Sequence, residues 1–223
     1  MKIRKIALIA TALILSSQIF AQDNKFGIWY GADASKKIAK GLKAEVAGAL
    51  RTDENGSNIE SFYFEGGLNY KFNKFISAGA YYRCIEQKEN DGDFYFRHRF
   101  YADLKGTVPM GRFTLSARYR FQEQKKTYIK SVDDEDATFY NRFKFELDYN
   151  IPRIPLTPSV FAEFSGQAMT SNDILIEKRR VGGGLNYSIT RKQSVSLDYI
   201  YLSSKVSNPT YFNVLSLNYS VKF

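Results

Sequence analysis

Apolar and polar residues alternate with a period of two along most of the chain. The last stretch shows it plainly. From Tyr211 to Phe223 the odd positions read Tyr211, Asn213, Leu215, Leu217, Tyr219, Val221 and Phe223. The residues between them, from Ser216 onward, are Ser216, Asn218, Ser220 and Lys222. This period belongs to a β-strand with one apolar and one polar face. Ten such segments fall at 42–50, 62–70, 76–84, 94–104, 113–121, 139–149, 160–168, 181–189, 195–201 and 211–223. An eleventh, Phe26, Ile28, Tyr30, Ala32 and Ala34, precedes them, and Lys37 to Gly41 reads as a turn.

The connections alternate in length. Phe72 to Lys74, Val108 to Gly111, Ile151 to Arg153 and Thr190 to Lys192 read as tight turns. Thr52 to Asn58, Gln87 to Gly92, Lys125 to Asp136, Thr170 to Asp173 and Ser203 to Asn208 read as longer polar loops. Short turns on one side and long loops on the other are the layout of transmembrane barrels. A soluble lipocalin-like barrel also alternates, with its apolar phase inward. Segments longer than the five or six residues typical of soluble strands favour the membrane form. Aromatics at segment ends do so too: Tyr70, Phe72, Phe75, Phe113, Tyr149, Tyr187 and Phe223 sit where an interfacial belt belongs. A strand that ends on Phe223 resembles the closing strand of a bacterial outer-membrane barrel.

The expected fold is therefore all-β, an antiparallel up-and-down transmembrane barrel of about 10–12 strands. The N-terminal alternating segment makes the strand number odd, whereas bacterial single-chain barrels have even numbers. The expectation is that residues 26–36 lie in the lumen or along the wall without closing it, unless two strands are merged elsewhere.

The N-terminus carries an export signal. Lys2, Arg4 and Lys5 precede an apolar run from Ile6 to Leu15, and Ala21 supplies the small residue of a cleavage site. Residues 1–21 read as a signal peptide and 22–223 as the barrel domain. The formal charge is +9, and +6 without Lys2, Arg4 and Lys5. In an exported chain so modest a value does not point to nucleic acid. Cys84 is the one cysteine, so no intrachain disulfide forms. Aromatics make up 16% of the chain, a supply that suits interfacial girdles.

The polar phase is heavily charged. Arg97, Arg99, Arg118, Arg120, Arg142, Lys144, Glu146, Glu163, Arg180 and Asp198 share it, and in a barrel of this size they meet in a narrow lumen. Opposite charges there must pair, since an unpaired confined ion costs several kcal/mol. Two readings follow. One is a salt-bridged plug in a structural barrel. The other is a narrow pore whose excess arginine (Arg97, Arg99, Arg118 and Arg120) favours anions.

Catalysis finds little support. A lipid hydrolase needs a serine and a histidine in contact. The sole histidine, His98, shares its face with Phe96 and Phe100 on the lipid side, and Ser116 has the opposite parity. A hydrogen bond from His98 to a neighbour such as Tyr82 is the expected arrangement. One His and one Cys provide no metal-ligand spacing. Asp133 to Asp136 read as a solvated acidic loop, and Gly182 to Gly184 as a place where the wall bends.

Several short patterns together resemble an uncharacterised family of Gram-negative outer-membrane β-barrels, known as a domain of unknown function. They are Phe26-Gly27-Ile28-Trp29-Tyr30, a strand ending near Arg51, Phe96-Arg97-His98-Arg99-Phe100, Arg118-Tyr119-Arg120, Arg142-Phe143-Lys144, and Pro158 to Glu163. The resemblance implies an outer-membrane location and no particular activity. The expected protein is a non-enzymatic monomer without cofactor or metal. Its expected partners are membrane lipid and, through the strand ending at Phe223, the barrel assembly machinery. A lipid-modifying enzyme, or a binding protein that uses the loop of Lys125 to Asp136, are the alternatives.

Overall fold

A computed structural model describes residues 25–128, 137–168, 177–204 and 210–223. The proposed signal peptide and the segments 129–136, 169–176 and 205–209 lie outside them, so most of the acidic loop does as well. Eleven strands form one closed barrel. They are β1 (Lys25–Ala39), β2 (Leu42–Asp53), β3 (Asn58–Lys71), β4 (Ile76–Lys88), β5 (Phe94–Met110) and β6 (Phe113–Lys126). They continue as β7 (Thr138–Tyr149), β8 (Leu156–Gln167), β9 (Lys178–Ser188), β10 (Gln193–Ser204) and β11 (Tyr211–Lys222). Every neighbouring pair is antiparallel except β1 with β11, which run parallel from Lys25↔Phe212 to Ser35↔Lys222.

That parallel pair corrects two expectations. The barrel is not wholly antiparallel, and residues 26–36 close the wall instead of lying beside it. Parity explains why. An up-and-down sheet with an odd number of strands brings its first and last strands together pointing the same way. Closure is then still possible, through slanted parallel hydrogen bonds. Side chains fasten the seam. Asp33 accepts hydrogen bonds from Asn218 Nδ2 and Ser220 Oγ, both at 2.7 Å. The backbone N–H of Phe223 donates to the Ser35 carbonyl at 2.8 Å. At the other end Gly27 leaves no room for a side chain, since a Cβ there would lie 2.7 Å from the Phe212 ring.

The turns are tighter than the sequence suggests. β5 runs through Pro109 to Met110, leaving Gly111 and Arg112 as the turn, and Lys40–Gly41 suffices between β1 and β2. Gly41 and Gly111 have φ of +78° and +63°, which a two-residue hairpin requires. β2 and β3 similarly take three residues of the loop expected at 52–58, leaving Glu54 to Ser57.

The barrel is inside out relative to a soluble protein. Phe64 is 70% exposed and Val160 59%, both on the outer wall. The buried set contains four apolar residues against eight polar or charged ones, so the interior cannot be an apolar core. An outer surface this apolar needs lipid or a partner to cover it. The soluble-barrel alternative, with its apolar phase inward, does not describe this molecule. Tyr70, Phe72, Phe75, Phe113, Tyr187 and Phe223 are exposed at the short-turn end, where the aromatic belt was expected. Three polar side chains on the outer phase are each satisfied by a tyrosine hydroxyl: Tyr82 with His98 Nδ1 at 2.6 Å, Tyr119 with Asn141 at 2.8 Å, and Tyr199 with Asn213 at 2.7 Å. Polar atoms facing hydrocarbon need such partners.

The seam is open to a direct test. With Cys84→Ala to remove the native thiol, the pair Ala32→Cys and Tyr219→Cys should form a disulfide, because those residues are register partners on the outer wall. The offset pair Ala32→Cys and Leu217→Cys should not. Mobility on a non-reducing gel reads the outcome.

Candidate functional site

Ladder geometry turns the polar phase into a belt around the lumen. Trp29 on β1 faces Arg51 on β2, Asp103 on β5 faces Arg120 on β6, and Glu163 on β8 faces Arg180 on β9. Because inward side chains recur every second residue, each belt residue projects toward its neighbours' stems and tips. The result is a near-continuous stack. The Arg51 guanidinium lies 4.3 Å from the Trp29 ring and 5.3 Å from the Tyr63 ring. Arg83 covers Tyr63 at 3.8 Å, and Arg120 covers Tyr101 at 3.6 Å. Each desolvated cation–π contact contributes roughly 1–2 kcal/mol.

Carboxylates neutralise part of this belt. Glu65 Oε2 accepts from Arg83 Nε at 2.6 Å. Asp103 holds Arg120 through both oxygens, at 2.6 and 2.7 Å, the fork geometry that suits arginine. Glu163 serves three cations: Arg118 at 2.8 Å, Arg142 at 2.5 Å and Arg180 at 3.2 Å. It is 5% exposed. Nearer the long loops, Arg97 pairs with Glu89, while Arg99 bonds the neutral amide of Gln124.

These side chains fill the middle of the lumen. A cavity of about 440 Å³ lies on the short-turn side and one of about 460 Å³ on the long-loop side, and they share no lining residue. The short-turn cavity is lined by six cations, among them Lys105, Arg118 and Lys144, and by Glu45, Asp103 and Glu146. Lys144 and Glu146 pair with each other there. The long-loop cavity is lined by Arg51, Arg97, Arg99, Arg142, Lys178 and Arg180 against one carboxylate, Glu60. Trp29, Phe212 and Leu202, on the adjacent strands β1, β11 and β10, form an uncharged stretch of its lining beside Arg51 and Arg180.

The residues singled out from the sequence thus divide. Arg118, Arg142, Glu163 and Arg180 form one cluster. Arg120 is neutralised by Asp103 and Arg97 by Glu89, so neither supplies the free positive charge assigned to it from the sequence. Asp198 stands apart from the cluster, against Gly184 on the wall. That contact also gives the glycine triplet its reason: Gly182 clears the Phe161 ring and Gly184 clears Asp198. Sequence reading missed Trp29 and Glu60 as lumen residues. Trp29 belongs to a strand not expected in the wall. Glu60 escapes simple alternation because the register slips between Arg51 and Thr52, which is what a bulge does.

His98 sits opposite Cys84 and Lys125 in register, with the Tyr82 hydroxyl as its partner. Among the described residues no group of three or more His, Cys, Asp or Glu is arranged to hold a metal ion.

Closure, outward apolar phase and polar lumen define the class: a transmembrane β-barrel. Within that class the chain belongs to the family described as protein of unknown function DUF2490, whose model matches residues 26–213. No curated protein sequence matches the chain. Among solved structures it is similar to the NanC porin, at 15% identity and a TM-score of 0.50, covering 80% of this chain and 87% of that one. A bacterial polysaccharide outer-membrane secretin matches at 10% identity and a TM-score of 0.48, covering 78% and 72%. An anion-selective porin from Comamonas acidovorans matches at 12% identity and a TM-score of 0.42, covering 82% and 53%. At these identities the likeness concerns the fold.

Glu163→Gln tests the shared carboxylate. It would leave Arg118, Arg142 and Arg180 facing one another without a counter-charge, and should destabilise the barrel by about 3–5 kcal/mol. Thermal unfolding in detergent, followed by loss of the β circular-dichroism signal, measures it. Lys71→Gln, at the short-turn rim, should leave the midpoint nearly unchanged.

Proposed function

We propose that the protein is a monomeric outer-membrane barrel of a Gram-negative bacterium that passes small anions through a narrow, partly plugged lumen. The observation that carries this is the excess of positive charge in both cavities. Six cations and three carboxylates line the short-turn side, and six cations and one carboxylate line the long-loop side, where Arg51, Arg99 and Lys178 have no described carboxylate within ion-pair distance. A lumen of that sign raises local anion concentration and repels cations. The packed belt of Tyr63, Arg83, Tyr101 and Arg120 is the constriction. It limits current without reversing selectivity, since Glu65 and Asp103 leave it locally neutral and not acidic. On this reading the chain needs no cofactor and performs no catalysis, and the strand ending at Phe223 is the contact for barrel assembly.

The filled belt also favours a second reading, a structural barrel that conducts nothing. Planar-bilayer recording separates the two. The purified wild type under a KCl gradient should show small events with a reversal potential on the chloride side. Tyr101→Ala removes the ring between Arg83 and Arg120, so it should raise the unit conductance several-fold. Silence from both proteins would leave the structural barrel and remove the conduit.

A further inference from the structure

The long-loop cavity is more than a basic surface, because the described residues do not balance its charges. Among the described residues, no carboxylate oxygen lies within ion-pair distance of Arg51, Arg99 or Lys178. Arg142 and Arg180 share Glu163 with Arg118. Glu60 is the one carboxylate in the lining. Such a cluster is held together against its own repulsion by the ladder and by stacking on Trp29 and Tyr63. An anion placed among these groups would relieve that repulsion. Three N–H groups of the lining stand ready as donors: Trp29 Nε1, Arg97 Nε and Arg142 Nε are buried without a partner. Trp29, Phe212 and Leu202, on the adjacent strands β1, β11 and β10, form an uncharged stretch of the lining between Arg51 on β2 and Arg180 on β9.

We infer that this cavity is a binding site for a small organic oxyanion with at least two negative charges and a flat or apolar face. The guanidinium groups take the carboxylate or phosphate oxygens in charge-assisted pairs. The uncharged wall takes the carbon skeleton. A volume of about 460 Å³ admits a small metabolite and excludes a polymer in folded form. Occupancy requires no current, so this inference and the conduit fail separately: a protein that binds yet never conducts would remove only the conduit.

Trp29 is the one tryptophan of the chain, so its fluorescence reports on this cavity alone. The full-length protein in detergent is titrated with phthalate, inorganic phosphate and chloride at matched ionic strength, with calorimetry in parallel. Phthalate should saturate the Trp29 signal at the lowest concentration, phosphate at a higher one, and chloride should give only a weak linear change. Arg99→Gln and Lys178→Gln should each weaken phthalate about tenfold or more. Lys71→Gln, in the other cavity, should not. If Arg99→Gln fails to fold, Lys178→Gln at the strand end still decides. Equal responses to all three anions, or wild-type affinity in the folded variants, would overturn the site. Equal binding of phthalate and phosphate would overturn the role assigned to the uncharged wall.

Discussion

A backbone inside a bilayer has no water to bond with, and every other property of this protein follows from how that demand is met. Each unpaired N–H or C=O in hydrocarbon costs several kcal/mol. A sheet therefore closes or does not span. Here the last pairing is β1 with β11, eleven register partners in parallel. Once it forms, no edge remains. The period of two then has only one arrangement compatible with lipid: apolar side chains out, polar side chains into a lumen a few side chains wide. The charged interior is a consequence of closure as much as a feature of its own.

That consequence creates an electrostatic problem, which the belt solves only partly. Arginine suits the confined lumen because its planar head can stack on a ring and fork onto a carboxylate at once. Arg120 does both, with Tyr101 and Asp103. Arg83 stacks on Tyr63 and donates to one oxygen of Glu65. These units are locally neutral and tightly packed, and they make the lumen's filled waist. Toward the long loops the stacking continues through Arg51 while the carboxylates run out. The transition from neutral waist to basic mouth falls between Glu163 and Arg99. The gradient comes from more arginines at the mouth and fewer carboxylates beside them.

Alternation made most of the wall legible in advance. Leu42 to Leu50 or Phe113 to Phe121 could hardly be read otherwise, and their facing followed from parity. What alternation could not convey was pairing. The segment at Phe26 carried the same signal as its neighbours and was set aside because antiparallel closure forbids an odd strand. Nothing in a one-dimensional pattern distinguishes a parallel partner from an antiparallel one. The site was legible in composition but not in balance. Arg97 and Arg120 look as free in the sequence as Arg99 does. Only the three-dimensional register supplies Glu89 to one, Asp103 to another and a neutral glutamine to the third. Glu60 needed a register slip that leaves no trace in residue type. Even His98 was half legible: its face and its tyrosine partner followed from spacing, because Tyr82 and His98 lie on adjacent strands in the same phase.

The odd strand joins these threads. β1 brings Trp29 beside Arg51 and within 5.8 Å of Arg180, which reaches from β9 across the mouth. The same strand carries Asp33, whose two hydrogen bonds to β11 fasten the seam toward the short turns. Closure and the basic cavity therefore depend on one element. An even-stranded barrel built from β2 to β11 would set Arg51 against β11, with no indole to stack on and no indole donor in the cavity. The guanidiniums would repel across an emptier mouth. The parallel seam completes the hydrogen bonding of the wall, and it also supplies the aromatic plate that both Arg51 and Arg180 approach, at 4.3 and 5.8 Å.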